Sequence, residues 1–232
     1  VTPLSGGTET VDGGVASYTP GETMNCLYTL DKDMQILGKV EGLARGEQVY
    51  SVRFLGDMGY LVTFRQVDPL FAVDLSDPAE PKVLSALKIP GFSNYLHPYA
   101  PGRLFGFGQQ ADPYTGAAQG LKLSMFDVSD PTNVTEMHTL PVDGYWSEAQ
   151  YNHKAILVDA ERNLIGFSTD TDYYLYGYSD ERGFYLRAQV PLSGSGETVR
   201  GLYIGDTFYT VDGNEITAYS LLDFQQTGFL VL

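Results

Sequence analysis

The sequence predicts an all-β chain built from a repeated four-strand unit. Three observations carry that prediction. Tyr and Phe number 17 and 12, beside 26 Gly and a single Trp, a mixture of strand formers and turn formers. Short apolar or alternating runs follow one another, separated by Gly, Pro, Asn and Asp. No long stretch keeps apolar residues at i, i+3 and i+4, so helices are expected to be scarce.

Residues 1–22, "VTPLSGGTETVDGGVASYTPGE", hold five Gly and no apolar run. They read as a linker or long loop, or as strands that complete the first blade. Residues 23–43 give half a unit, in "MNCLYTLD" and "MQILGKVEGL". A full unit spans about 47–90, as "VYSVRFL", "YLVTF", "LFAVDLS" and "KVLSALKI". The next, about 92–142, reads "NYLHPY", "RLFGFG", "LKLSMFDVS" and "VTEMHTLPV". The third, about 147–192, reads "HKAILVD", "NLIGFST", "YYLYGYS" and "GFYLRAQVPL". The fourth, about 197–232, reads "VRGLYIG", "DTFYTVD", "NEITAYSLL" and "FQQTGFLVL".

Four copies at a spacing of about 45–55 residues predict a β-propeller of four-stranded antiparallel blades. One twisted sheet cannot bury both of its faces; packed radially between two neighbours, it can. About four and a half blades are legible. Either residues 1–22 finish the first blade of a five-bladed ring, or the chain is part of a larger propeller, which is the preferred reading. An open arc exposes sheet faces, and that cost argues for the first alternative.

The copy that anchors this alignment is "VDLSDPAEP" at Val73–Pro81 and "FDVSDPTNV" at Phe126–Val134. It falls at the end of the third strand and in the hairpin to the fourth. Asp and Ser side chains accept from backbone N–H groups two residues on, and Pro sets φ for the turn. The motif is therefore read as a structural hairpin at the rim. "YSDERG" (Tyr178–Gly183) and "LDKDM" (Leu30–Met34) occupy the same slot.

Apolar residues make up 43% of the chain, an ordinary globular value. Net charge is −15, which repels phosphate backbones and makes a nucleic-acid partner unexpected. No apolar run is long enough for a membrane span. Cys26, the single cysteine, sits in the strand-like run "MNCLYTL" and reads as a buried small hydrophobe. The chain starts at Val1 without a leader, so a processed or partial chain is expected.

The stretch from "GEQVYSVRFLGDMGYLVTFRQVDPLFAVDLSDP" to "GFSNYLHPY" resembles a known family, as do "GLKLSMFDVSDP", "YWSEAQYNHKAILVDAERNLIGF" and "RGLYIGDTFYTVDGNEI". These are the bacterial and archaeal secreted proteins with a C-terminal β-propeller domain, distantly related to WD40 repeats. The resemblance covers roughly residues 24–220. It implies a propeller and an extracellular or cell-surface setting, and it brings no catalytic residues to carry over. Members have further blades ahead of the half unit found here.

Candidate chemistry gathers at the expected channel mouth. His97 and His153 fall near the first strands of successive units, with Glu148 close in sequence. Two imidazoles and a carboxylate suit a metal, but the usual ligand spacings are absent, and hydrogen-bonded structural histidines are the simpler reading. Arg53 and Arg200 hold comparable first-strand positions and would grip an anion or pair with a neighbouring blade. Arg65 and Asp68 interrupt apolar strands in "FRQVDPLF", which reads first as a buried polar network. Tyr99 follows His97 in "YLHPY". Tyr145 and the lone Trp146 lie between units, where exposed aromatics would suit a sugar or peptide, and where Trp146 would otherwise wedge between blades. Asp170 and Asp172 alternate as calcium ligands do, without the Gly and Glu of an EF-hand loop. There is no G-x-S-x-G and no phosphate loop ahead of a helix.

The expected function is a binding or scaffold module without a cofactor, whose partner is an unidentified protein, peptide or glycan. Two rivals stand beside it. One is a glycan hydrolase or lyase using His97, His153, Arg53 and Glu148. The other is a surface domain stabilised by calcium.

Overall fold

The computed structural model describes residues 8–12, 15–19, 24–64, 68–112, 114–192 and 198–232. They form an all-β arc. A short hairpin, β1 (Thr8–Asp12) and β2 (Val15–Thr19), comes first and is a sheet of its own. A two-stranded sheet follows, β3 (Asn25–Leu30) and β4 (Ile36–Leu43). Four antiparallel sheets of four strands complete the arc. They are β5 (Gln48–Leu55), β6 (Met58–Phe64), β7 (Asp68–Asp74) and β8 (Lys82–Ile89); then β9 (Phe92–Ala100), β10 (Arg103–Ala111), β11 (Ala118–Asp127) and β12 (Thr135–Val142). The next is β13 (Ile156–Asp159), β14 (Leu164–Ser168), β15 (Asp172–Ser179) and β16 (Gly183–Pro191). The last is β17 (Val199–Ile204), β18 (Thr207–Asp212), β19 (Glu215–Ser220) and β20 (Gln226–Val231). Strand order within each sheet is sequential, so every blade is an up-and-down meander.

The cores lie between blades. Tyr60, Val62, Leu70 and Ala72 of one blade pack with Leu96, Leu104 and Phe126 of the next. Phe105, Phe107, Leu121 and Leu123 then meet Ile165, Phe167, Tyr174 and Tyr176. The tyrosine stripe read from "YYLYGYS" is part of this second core: Tyr176 stacks on Phe167 at 5.9 Å and 9°. β14 and most of β11 are buried on both faces, which is why "LIGFS" and "LKLSMF" read as nearly continuous apolar runs, whereas β18 in the last blade is buried on one face only. Among the described residues, extensive packing runs between blades adjacent in sequence.

The repeated hairpins are built as the sequence implies. Asp74 accepts from the Ser76 N–H and Asp77 from the Ala79 N–H, both at 2.9 Å. Asp127 and Asp130 do the same for Ser129 and Thr132, again at 2.9 Å. The Ser76 N–H bond holds the Asp74 carboxyl below the usual carboxylate range, and the Ser129 and Thr132 hydroxyls, with the backbone N–H groups beside them, do the same for Asp127 and Asp130. Each hairpin also latches the blade before it. The Pro78 carbonyl accepts from the Thr29 hydroxyl, and the Pro131 carbonyl from the Ser85 hydroxyl at 2.7 Å. Further along, the His138 ring lies against Gly183, and the Arg187 guanidinium stands over Phe224 at 5.4 Å.

One element differs from the expectation. "HKAILVD" is not strand throughout. His153–Ala155 form a 3-10 turn, and β13 starts only at Ile156. The cause is local: Asn152 caps this turn by accepting from the Lys154 N–H at 3.1 Å. A second 3-10 turn, Glu148–Gln150, precedes it. No helix of the described residues is long and apolar enough to cross a membrane.

Candidate functional site

At the inner end of the arc, β5 and β9 lie side by side. Ser51 donates to the Ser93 carbonyl at 2.6 Å, and Arg53 Nε to the Leu96 carbonyl at 2.9 Å. Arg53 Nη2 also reaches the Tyr95 hydroxyl at 3.3 Å, and that hydroxyl meets His97 Nδ1 at 2.8 Å. Arg53, Tyr95 and His97 are therefore one network across two blades. Burial, and then the nearby Arg53 charge, hold the His97 imidazole below its usual pKa.

Above this network the chain between β12 and β13 folds over the inner edge. Ser147 and Gln150 form a reciprocal capping box: Ser147 Oγ accepts from the Ala149 N–H at 3.3 Å, and Gln150 Oε1 from the Ser147 N–H at 3.1 Å. Glu148 is buried beneath the turn, where Arg200 donates to its two oxygens at 2.6 and 2.9 Å and Asn152 at 2.5 Å. The Arg200 guanidinium holds the Glu148 carboxyl below the usual range, against the opposing effect of burial. This pair ties the turn to β17 of the next blade.

Turn and strands enclose a cleft of about 460 Å³. Its walls are Gln48, Val49 and Tyr50 from β5, Asn94 and Tyr95 from β9, and Ala149, Gln150, Tyr151 and His153 from the two turns. Tyr151 is 69% exposed at the lip, with the half-buried Trp146 ring 6.1 Å away. Asn94 Oδ1 is buried, with no hydrogen-bond partner among the described residues. The cleft thus offers aromatic faces, three carboxamides and an imidazole.

The residues singled out from sequence divide into three groups. His153 lines the cleft; Arg53 and His97 support it through Tyr95; Glu148 and Arg200 brace its roof. Trp146 stands at the lip. Tyr99 belongs elsewhere. Its hydroxyl donates to Asn163 at 3.1 Å, and burial raises its pKa to about 12. Asp170 and Asp172 lie before and at the start of β15, where Asp172 accepts from the Thr171 hydroxyl at 2.6 Å. Arg65 lies outside the described residues, as does the Asp68 side chain. No cluster of three His, Cys, Asp or Glu suited to a metal occurs among the described residues. Gln48, Tyr50, Asn94, Gln150 and Tyr151 carry no motif, and only their shared cleft marks them.

The family model described as "Beta propeller domain" matches residues 14–224. The chain belongs to this beta-propeller family. An uncharacterized protein of Archaeoglobus fulgidus is 38% identical over 208 residues, which is 90% of this chain and 32% of that protein. Uncharacterized protein MJ1554 of Methanocaldococcus jannaschii is 34% identical over 192 residues, 83% of this chain and 29% of that one. The propeller arc described here thus spans about a third of the length of these relatives. Among solved structures, a protein from Lactobacillus plantarum superposes with a TM-score of 0.54 at 13% identity, covering 91% of this chain and 67% of that one. Apo AztD from Citrobacter koseri gives 0.55 at 11% identity, covering 97% and 59%. At these identities the likeness concerns the propeller fold alone.

Proposed function

We propose that this propeller is a binding module whose inner cleft holds an uncharged saccharide. The observation that carries this reading is the convergence of Tyr50, Tyr95 and Tyr151 with the carboxamides of Gln48, Asn94 and Gln150. Aromatic faces cover the C–H faces of a sugar ring. The carboxamides of Gln48 and Asn94 both donate and accept, and so match hydroxyls that do the same, while Gln150, whose Oε1 takes the Ser147 N–H, offers its amide N–H groups. A sugar hydroxyl would also give the buried Asn94 Oδ1 the donor it needs. The cleft volume suits one or two sugar rings. Glycan hydrolysis is the weaker reading, because both Glu148 oxygens are engaged by Arg200 and Asn152 and are not free for acid–base work. An extracellular or cell-surface setting follows from the family resemblance and is part of this proposal.

A glycan array followed by calorimetry on the whole chain tests the reading. A neutral glycan is expected to bind, and Tyr151→Ala and Asn94→Ala are each expected to weaken it about ten-fold or more, the loss of one buried contact. Binding that ignores both substitutions, or the absence of any glycan ligand, overturns it.

A further inference from the structure

Four blades carry four strands each, and the first carries two, β3 paired with β4. The consequence appears on the neighbouring blade. Its face toward β3–β4 is closed along the outer half, where Leu27 and Leu43 pack with the fully buried Val73. Along the inner half it is open. Val52 and Phe54 on β5 are 43% and 59% exposed. With Val49, Leu61, Leu27 and Tyr28 they line an apolar groove of about 490 Å³. One blade further on, the matching face is shut: Leu96 on β9 is 2% exposed, packed among Tyr60, Val62 and Leu70 of the blade before it. The groove therefore marks the place of two inner strands, beside the inner edge of β3.

We propose that the β1–β2 hairpin is the inner half of the first blade. β2 pairs antiparallel with the inner edge of β3, giving a four-stranded sheet in the order β1-β2-β3-β4 that covers Val52 and Phe54. In the structure β1 and β2 already form the hairpin, with Thr8 opposite Thr19 and Asp12 opposite Val15. Connection lengths support the assignment. First and second strands are joined by two residues in three of the four complete blades, 56–57, 101–102 and 205–206, and by four, 160–163, in the other; β1 and β2 are joined by two, 13–14. Second and third strands are joined by 65–67, 112–117, 169–171 and 213–214, and β2 and β3 by 20–24, within the same range of lengths. A sequential meander needs no crossover, as in every other blade. The family match, which starts at residue 14, takes in β2.

Cys26 lies in the groove and is the only cysteine in the chain, so its thiol reports occupancy. Labelling with Ellman's reagent is expected to be about ten-fold slower or more in the whole chain than in one lacking residues 1–22, as for a thiol that reacts only after local opening. In the whole chain, cysteine placed in turn at positions 16, 17, 18 and 19 is expected to form a disulfide with Cys26 at one or two of them, since only neighbouring strand positions bring Cα atoms within about 7 Å. This second arm stands even if the shortened chain fails to fold. Equal labelling rates with no cross-link at any of the four positions overturn the proposal. So does protection of Cys26 that vanishes on dilution without a cross-link, which identifies a second copy of the chain as the occupant.

Discussion

Glu148→Gln removes the charge from one side of a bidentate pair while keeping side-chain volume. In the folded chain Arg200 donates to the carboxylate at 2.6 and 2.9 Å, and Asn152 donates at 2.5 Å. A hydrogen bond to an ionised group contributes ~1.5–3 kcal/mol and a neutral one ~1 kcal/mol. The amide keeps one acceptor oxygen and turns a donor toward the donors of Arg200, so one strong bond is lost and another weakened, about 3 kcal/mol. The Arg200 side chain is 29% exposed and stays partly hydrated, which reduces the expected loss to about 2 kcal/mol. In a domain of this size that lowers Tm by about 4–8 °C. The sign of the pH dependence follows from the depressed Glu148 carboxyl. Its stabilisation is fully present above the ordinary glutamate pKa of ~4.3 and is lost as pH falls through the lower folded value. The gap between wild type and variant is therefore constant from about pH 7 to 5 and narrows below about pH 4. Circular-dichroism melts across that range measure it. Equal Tm values at neutral pH, or a gap that does not narrow in acid, would refute the reasoning.

Three further predictions follow from contacts between or within blades. Gly38→Val places a Cβ 2.5 Å from the Pro78 carbonyl and 2.6 Å from Pro81 Cδ. It should push the rim hairpin off β4 at a cost of ~1–3 kcal/mol, read as faster amide exchange in β3 and β4; unchanged exchange contradicts the latch. Tyr173→Phe removes a fully buried hydroxyl without a partner among the described residues. Urea denaturation should show stability unchanged or raised by ~1 kcal/mol, and a clear loss would reveal a partner. His97 is held below its usual pKa in the fold, so unfolding takes up a proton. Stability should decline as pH drops below ~6.5 toward the lower folded value, and His97→Gln should flatten that decline; identical slopes would count against it.

The architecture was legible because each blade repeats its own punctuation. "DLSDP" and "DVSDP" announce the third-to-fourth hairpin, and Asp74 and Asp127 bond their own backbone two residues on, an interaction that needs no distant partner. The cleft was legible in part. His153 stood out as a rare residue type near a strand start, and Trp146 as the lone Trp in a connection between units. Gln48, Asn94 and Gln150 did not, because a carboxamide in a strand or turn looks like any polar residue until two blades and a turn converge on one space. Tyr99 points the other way: beside His97 in sequence, it belongs to the packing around Asn163 and Tyr178.

What the sequence determined by itself was local: strand runs, turn chemistry, and the apolar period that demands sheet against sheet. Only the tertiary structure decided which side chains meet. Glu148 and Arg200 are 52 positions apart, yet they close a bidentate pair. The rim motif, a turn by sequence, also proves to be a latch, because the carbonyls of Pro78 and Pro131 take hydroxyl donors from the preceding blade. Local rules fix how a backbone bends within a few residues. Which partner a carbonyl or guanidinium finds depends on how neighbouring sheets twist and stack, and no single blade encodes that.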